Sequence, residues 1–373
     1  MNILIAPDKF KYSLTAKEVC EAVEKGIRKY MPSANIIKIP LADGGEGSLE
    51  TLENTIKFER VYLKVKNPVF KSIKTFYGIL KDTAYIEMSS VSGLQLLDKS
   101  ERNPMRTTSF GTGELILDAI NKGVNKIYLF VGGSATNDAA IGIASALGYV
   151  FKDENNKTLD PVGSNLIKIK SIYAGKAESL TNIDFHVLTD VNNPFFGCNG
   201  AARIFASQKG ANSDEITILD DGLKNISEIF KSKFGIDVSD IPGSGAAGGV
   251  GGGAMVFCSA KIKSGIDTIL DLLNIDNVIN ESDLVITGEG FLDKQTFDGK
   301  VVMGVINRCN LNKKPLGIVC GDTSLTEYDL LNIYPSIIKP IKMEGISIED
   351  SMQNASTHLI KRAQELIKEF CES

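Results

Sequence analysis

Acidic residues follow several predicted strands of this chain, each at the point where the strand ends. The strands are short aliphatic runs, which is typical of buried parallel strands: Asn2–Ala6, Ile36–Leu41, His186–Thr189, Asp283–Thr287 and Leu316–Cys320. The acidic residues after them are Asp8, Asp43, Asp190, Glu289 and Asp322. Ligands of open parallel sheets collect beyond the carboxyl ends of the strands, and Mg²⁺ prefers carboxylates and water. The set therefore favours a site for Mg²⁺ and a polar substrate, although Asp and Gly are also ordinary turn formers at any single position.

A glycine-rich loop follows another predicted strand, Lys126–Val131, and precedes a helix predicted over residues 137–147. Glycines let the backbone approach a ligand, while free N–H groups and the helix dipole attract an anion. The candidate phosphate ligands are Gly132, Gly133, Ser134, Thr136 and Asn137. The alternative is a plain tight turn with a helix N-cap at one of the three polar residues.

The segment Gly243–Gly248 matches the pattern G-x-G-x-x-G, and Asp267 lies about twenty residues further on, as in dinucleotide-binding proteins. The residues before it, Val238–Pro242, do not form a convincing strand, which counts against that interpretation. A loop for a nucleotide phosphate or a substrate carboxylate, with Gly243 and Gly245 as ligands, is one alternative. Close packing of two backbones is the other. A helix is predicted over residues 248–263.

The composition narrows the chemistry. The chain has 373 residues, which corresponds to about two domains, a net charge of −5 and two histidines, His186 and His358. Multi-histidine metal sites and most Ser-His-Asp triads are therefore nearly excluded. Mild acidity argues against nucleic acid or an anionic membrane as a partner. Six cysteines without a CxxC pair and a start without a signal peptide predict a cytoplasmic protein.

Alternating strands and helices predict an α/β protein with largely parallel sheets. Residues 59–65 and 73–88 alternate polar and apolar side chains, as in hairpin strands with one wetter face. This hairpin interrupts the alternation, and regular β-α order resumes at the end of the chain. We therefore predict a discontinuous first domain, residues 1–75 plus 285–373, with a second α/β domain, residues 76–284, inserted in it. From the residues alone, the prediction is an α/β enzyme that binds a phosphorylated ligand with Mg²⁺.

Six segments, occurring in one order between about residues 2 and 325, resemble the bacterial glycerate kinase family. They are IAPDKFKYSLTAKE, IPLADGGEGSLETL, ERNPMRTTSFGTGELI, VGGSATNDAAIGIASALG, GSGAAGGVGGGAMVF and DLVITGEGFLDKQTFDGK. The resemblance implies ATP-dependent, Mg²⁺-assisted phosphorylation of D-glycerate, with 2-phosphoglycerate as the usual product. It also implies two α/β domains, one of them a flavodoxin-like three-layer α/β/α domain, with the active site in the interdomain cleft. D-Glycerate is then the expected partner, and a homodimer stays open.

Roles for individual residues follow as hypotheses. Asp190 or Asp43 is the base that accepts the hydroxyl proton of the substrate, since phosphoryl transfer needs positioning and charge neutralisation rather than histidine chemistry. The remaining candidates are Lys9 and Lys300 for phosphate charge, Arg106 for the glycerate carboxylate, Asp8 and Lys300 for substrate, and Glu289 and Asp293 for Mg²⁺.

Several positions depart from the usual pattern of the family. Tyr12 replaces a glycine, Ala139 and Ala140 replace a common Gly-Gly pair, and Asn192 replaces an acidic residue. Phe291 replaces the arginine that usually follows Gly-Glu-Gly, so a phosphate charge would have to be balanced elsewhere. An active glycerate kinase is the favoured function. A kinase for another short sugar acid, an oxidoreductase built on Gly243–Gly248 and a non-catalytic ligand-binding relative are the alternatives.

Overall fold

Two compact units divide the chain of this computed structural model. The structure describes residues 1–174, 182–297, 300–325, 336–342, 345 and 347–372. Unit 1 comprises residues 1–43, 50–56 and 266–373, and unit 2 comprises residues 44–49 and 57–265. Contacts therefore change from one unit to the other near Asp43, Lys57 and Gly265. The domain boundaries at about residues 75 and 285 stay a prediction.

The strands and helices have the following bounds. The strands are β1 (Asn2–Ile5), β2 (Asn35–Lys38), β3 (Glu59–Lys66), β4 (Ser72–Leu80), β5 (Thr83–Glu87), β6 (Lys126–Phe130), β7 (Val150–Lys152), β8 (Ser171–Tyr173), β9 (Asp184–Leu188), β10 (Lys261–Lys263), β11 (Leu284–Leu292), β12 (Leu316–Thr323) and β13 (Ser336–Pro340). The α-helices are Ala16–Tyr30, Ser48–Ile56, Ser89–Ser92, Phe110–Asn121, Ile141–Ala146, Ala201–Phe205, Ser213–Ile229, Ala246–Cys258, Gly265–Leu272, Ile275–Glu281, Val301–Asn312, Ile348–Gln353 and Ala355–Glu372.

The sheet of unit 1 is parallel throughout, in the spatial order β2-β1-β11-β12-β13. With the strands renumbered along the chain this is the order 2-1-3-4-5 of flavodoxin-like folds. Helices Ala16–Tyr30 and Ala355–Glu372 pack together over it, and Gly26 lets their backbones approach because a Cβ there would clash with the carbonyl oxygen of Ile360. The strand order reverses between β1 and β11, so the polar residues after these two strands are the ones that the fold brings together.

The main sheet of unit 2 has the order β10-β9-β6-β5-β4-β3. Its first four strands in this order are parallel, and β4 and β3 form an antiparallel hairpin edge. From Val61 to Lys66, partly or fully buried side chains of β3 alternate with exposed ones, which confirms the hairpin with one wetter face that was expected from the sequence. The α/β class with largely parallel sheets is confirmed as well. In the described part of the chain, no helix is long and apolar enough to cross a membrane.

Two helix predictions were wrong at their ends, for the same physical reason. The helix predicted over 137–147 begins only at Ile141, because Ala139 and Ala140 adopt left-handed backbone conformations with φ of 52° and 60°. The helix predicted over 248–263 begins at Ala246, kinks through left-handed residues 247–249 and ends at Cys258, and residues 261–263 form β10. Left-handed residues interrupt a right-handed helix, and an apolar periodic pattern does not reveal them.

Three of the departures from the family pattern lie at left-handed backbone conformations. Tyr12 has φ of 66°, and Ala139 and Ala140 lie in the same region. These are positions where the resemblance predicts glycine, the residue that adopts positive φ without a steric penalty. This chain therefore carries backbone strain at three places where the family usually has none.

Tyr12→Gly should stabilise the protein. The Tyr12 side chain is 85% exposed, so little packing is lost, and its left-handed conformation costs about 1–2 kcal/mol. After the larger entropy of glycine in the unfolded chain is subtracted, the free energy of unfolding should rise by about 0.5–1 kcal/mol. Urea denaturation measures it, with Tyr12→Ala as the control that keeps the strain. A glycine variant no more stable than the alanine variant would contradict this account.

Candidate functional site

Unit 1 places acidic residues at the reversal of its strand order. Asp8 follows β1, and its N–H donates to the carbonyl oxygen of Gly288 in β11 (2.8 Å), which joins the two strand ends. The Asp8 carboxylate accepts the N–H of Lys9 (2.7 Å), and the Glu289 carboxylate accepts the hydroxyl of Thr296 (2.7 Å). The switch point of this sheet therefore carries a carboxylate from each of its two central strands.

Burial and mutual repulsion shift the protonation of these carboxylates. Burial raises the pKa of Asp8 to about 7, with further contributions from the negative charges of Asp43 and Glu289, while Lys9 acts in the opposite direction. Burial also raises the pKa of Glu289, and the hydrogen bond from Thr296 opposes that rise. Unit 1 thus concentrates negative charge at a place where a cation would stabilise it.

The donor set of unit 1 suits Mg²⁺ only with outside ligands. Asp293 accepts the N–H of Thr296 (3.1 Å), and its carboxylate lies 3.9 Å from the Lys300 ammonium. Among the described residues, no group of three or more His, Cys, Asp or Glu side chains could hold a metal ion. Mg²⁺ at phosphoryl-transfer sites is usually held by one or two carboxylates plus substrate phosphates and water. Glu289 and Asp293 fit that arrangement, not a metal cage made of protein alone.

The ends of strands β11 and β12 carry an aromatic residue opposite a carboxylate. Phe291 pairs with Asp322 across the two strands, and its side chain is 47% exposed. Asp322 forms an ion pair with Lys342 (2.8 Å). The aromatic ring supplies no charge at position 291, so the cations of unit 1 near this end of the sheet include Lys9, Lys300 and Lys342.

In unit 2 the loop after β6 turns its carbonyl groups toward the protein. The carbonyl oxygen of Gly133 accepts the N–H of Leu94 (3.0 Å), and that of Ala135 accepts the hydroxyl of Thr107 (2.8 Å). The N–H groups of Gly133 and Ser134 have no acceptor among the described residues. The predicted phosphate loop therefore presents backbone donors, although no helix begins directly after it.

Asp190 lies just beyond the end of the neighbouring strand β9 in the same unit. Its carboxylate accepts the hydroxyl of Ser264 (3.1 Å) and the N–H of Gly265 (2.8 Å). Strands β6 and β9 are parallel neighbours, and the N–H of Val131 donates to the carbonyl oxygen of Leu188 (3.4 Å). Asp190 and the loop after β6 consequently leave the sheet at the same edge.

The segment Gly243–Gly248 packs against backbone in unit 2. A Cβ at Gly245 would clash with the carbonyl oxygen of Pro194, and one at Gly248 would clash with that of Thr136. The segment follows a loop rather than a strand, so the structural context of a dinucleotide-binding fingerprint is missing. Close backbone packing accounts for these glycines. The role of Gly243 and Gly245 as phosphate ligands stays a prediction.

Arg106 is exposed on the surface of unit 2. Its charge helps to lower the pKa of Glu215, whose carboxylate accepts a hydrogen bond from the Asn103 amide (2.8 Å). The contact of Arg106 with the glycerate carboxylate stays a prediction.

Sequence reasoning missed three residues of these clusters. Thr296 orients Glu289, and Glu87 at the end of β5 accepts the N–H groups of Gly47 (3.1 Å) and Leu49 (3.1 Å). Lys209, 4% exposed, donates to the Gly132–Asn137 loop from a segment about seventy residues away in the chain. Glu87 also follows the rule of an acidic residue at a strand end, but nothing local marks Thr296 or Lys209.

These features are typical of an α/β enzyme: carboxylates lie at the switch point of one sheet, and a loop with backbone N–H groups that are unpaired among the described residues follows a strand of the other. A sequence model described as the glycerate kinase family matches residues 3–371, so the chain belongs to the glycerate kinase family.

Named relatives agree with this assignment. The chain is 42% identical to a glycerate kinase of Bacillus cereus (87% of this chain, 86% of the relative). It is also 42% identical to the glycerate 2-kinase of Escherichia coli K12 (88% and 86%) and 37% identical to a glycerate kinase of Haemophilus influenzae (99% and 98%). A crystal structure described as glycerate kinase 2 from Salmonella typhimurium LT2 superposes with a TM-score of 0.84 at 37% identity, covering 100% of this chain and 98% of that one.

Asp8 makes the stability of the protein depend on pH. Its folded-state pKa of about 7 lies above the ordinary value of 3.8, so the folded protein holds this proton more tightly than the unfolded chain. The contribution of Asp8 to stability is therefore complete below about pH 4 and is lost as the pH rises through about 7. Asp8→Asn, which does not titrate, should gain stability relative to wild type by a few kcal/mol across that range.

Urea unfolding at about pH 4, 6 and 8 in the presence of a chelator measures this difference. The matched control is Asp240→Asn, which replaces an exposed aspartate in unit 2. A pH-independent difference for Asp8→Asn would show that its carboxyl group titrates normally.

Proposed function

We propose that this protein transfers the γ-phosphoryl group of ATP to D-glycerate and forms 2-phosphoglycerate. The family match over residues 3–371 is the observation that carries the proposal. The 2-position rests on the relative from Escherichia coli, a glycerate 2-kinase at 42% identity over 330 residues. Membership of a kinase family implies the use of ATP. Cytoplasmic location and a homodimer remain predictions of the sequence.

The chemistry of this transfer matches the polar groups of the two units. Phosphoryl transfer is catalysed by positioning and by electrostatic stabilisation of the charge on the equatorial oxygens. We assign phosphate binding to the loop residues Gly132, Gly133, Ser134, Thr136 and Asn137. Lys9 and Lys300 balance phosphate charge, and Arg106, as a planar bidentate donor, binds the glycerate carboxylate.

Glu289 and Asp293 are the residues that would hold Mg²⁺. When bound, the ion neutralises charge on the transferring phosphoryl group and orients it. Their role is to place the ion beside the phosphates, and the Thr296 hydroxyl and N–H groups hold both carboxylates in position. The charge concentrated with Asp8 and Asp43 favours a cation at the same end of the sheet.

A carboxylate accepts the proton of the attacking hydroxyl group. The hydroxyl oxygen of glycerate forms a bond to the γ-phosphorus as the bond from that phosphorus to the bridging oxygen breaks. The hydroxyl proton moves to Asp190 or Asp43. ADP leaves with the bond electrons. Ser264 and Gly265 fix one oxygen of the Asp190 carboxylate.

A direct assay tests the activity. Purified protein with ATP and Mg²⁺ should convert D-glycerate to 2-phosphoglycerate, identified by ³¹P and ¹H NMR, and should lose turnover when EDTA is added. Tartronate and other short hydroxy acids test the reading as a kinase of another sugar acid, and an unchanged NAD(P)H absorbance rejects an oxidoreductase. Binding of glycerate and an ATP analogue without turnover would refute the proposal in favour of a non-catalytic relative.

Replacement of the base should lower turnover rather than binding. Asp190→Asn or Asp43→Asn should reduce kcat by about 10²–10⁴-fold, since that is the usual contribution of a positioned general base. KM for glycerate should change much less. Asp221→Asn, an exposed aspartate of helix Ser213–Ile229 outside both clusters, is the matched control. Near-normal kcat in both Asp190→Asn and Asp43→Asn would exclude a role for either as the base.

A further inference from the structure

Lys209 is a lysine that the fold buries at a fixed position in unit 2. It ends a short 3₁₀ turn, Ser207–Lys209, and is 4% exposed. Gly210 follows it with φ of 100°, and a Cβ there would clash with the carbonyl oxygen of Arg102. The backbone on the C-terminal side of Lys209 is therefore held by a close contact that only glycine permits.

The Lys209 ammonium binds the predicted phosphate loop directly. Its Nζ donates to Ser134 Oγ (2.9 Å) and to the carbonyl oxygen of Thr136 (2.7 Å). Among the described residues it forms no ion pair, and Asp138 is the carboxylate whose charge acts on it. A buried ammonium without a paired carboxylate is costly, which means that the charge is retained at a cost in stability.

These two hydrogen bonds complete a pattern in the loop. The carbonyl oxygens of Gly133, Ala135 and Thr136 all accept hydrogen bonds from the protein. The N–H groups of Gly133, Ser134 and Thr136 have no acceptor among the described residues. Because Ser134 Oγ accepts a hydrogen bond from Lys209, the Ser134 hydroxyl hydrogen is left to donate elsewhere. The loop is thus held as a set of donors.

We propose that Lys209 is a positioning residue that holds the Gly132–Asn137 loop in this donor arrangement, so that it binds an anionic oxygen group of a substrate. The group is a phosphoryl group of the nucleotide or the carboxylate of glycerate, which share the chemistry of hydrogen-bond acceptance and negative charge. The inference rests on the proposed function, since it assigns Lys209 to the same reaction. The third N–H of the ammonium and its charge add to the attraction.

Protonation of Lys209 then links anion binding to pH. Burial lowers its pKa to about 7 in the free protein, against the opposing charge of Asp138. The other charged groups on the elements around it are Arg102, beside Gly210, and Arg203 of the preceding helix, which pairs with Asp220. An anion binds the protonated form, so affinity should fall as the pH rises above about 7, by up to about tenfold per pH unit.

Calorimetric titration at about pH 6 and pH 8.5 tests this expectation, with β,γ-imido-ATP plus Mg²⁺ in one arm and D-glycerate in the other. In the arm whose anion the loop binds, Kd of the wild type should increase between these two pH values. The factor of this increase should be about 30 times the factor found for Lys209→Met. Lys224→Met, which removes an exposed lysine of the same unit, should keep the wild-type dependence. An identical pH dependence in wild type and Lys209→Met, in both arms, would overturn the proposal and implicate Asp138 or the ligand.

Two further measurements test the proposal even if Lys209→Met does not fold. Wild type, titrated in two buffers of different ionisation enthalpy at about pH 8, should take up nearly one proton more on binding than it does at about pH 6 in the same arm. Ser134→Ala should weaken binding in that arm about tenfold at pH 6, while the additional proton uptake at about pH 8 persists. Equal uptake at both pH values would overturn the proposal. Phosphorylation of D-glycerate by wild type is scored separately, so the inference can fail while the proposed function stands.

Discussion

Close contact between two backbone segments is the constraint on which the architecture of unit 2 depends. Residues 243–253 lie against residues 136–140, and Cβ atoms at Gly248 and Gly253 would clash with the carbonyl oxygens of Thr136 and Ala139. The N–H of Ala139 donates to the carbonyl oxygen of Gly248 (3.1 Å). Because side chains cannot fit between segments this close, the segment of residues 243–253 is rich in glycine. At this contact both segments depart from regular helix geometry, and the helix after β6 begins only at Ile141.

Hydrogen bonds of two buried ionisable residues hold the polar loop after β6 in its buried position. Asp138, directly after the loop, is fully buried and accepts the N–H and hydroxyl of Ser109 at 2.7 and 2.8 Å. Burial raises the pKa of Asp138, and these hydrogen bonds oppose the rise. Lys209 anchors the loop through Ser134 and Thr136. The Asp138 carboxylate anchors the residues after the loop through Ser109. Such a loop presents its donors without first having to be ordered by a ligand.

In unit 1, carboxylates repel one another at the reversal of the strand order. The order β2-β1-β11-β12-β13 places Asp8 and Glu289 side by side, although they are far apart in the chain. Their pKa values are raised because both are buried among other negative charges. The fold thus keeps these carboxylates close together at one end of the sheet, where burial and mutual repulsion disfavour their charged forms. A bound cation would relieve that repulsion, and perturbed pKa values of this kind are typical of functional sites.

The sequence by itself determined the parallel α/β class, the acidic residues at the strand ends and the family, because aliphatic runs, strand-end residues and long motifs are local patterns. It also identified Tyr12, Ala139 and Ala140 as unusual, and the left-handed backbone at all three supplies the reason. Only the tertiary structure decided that Thr296 orients Glu289, that Glu87 accepts N–H groups from Gly47 and Leu49, and that Lys209 binds the loop after β6. Burial, hydrogen bonding and pKa depend on residues that are distant in the chain, and no spacing rule links Lys209 to Ser134.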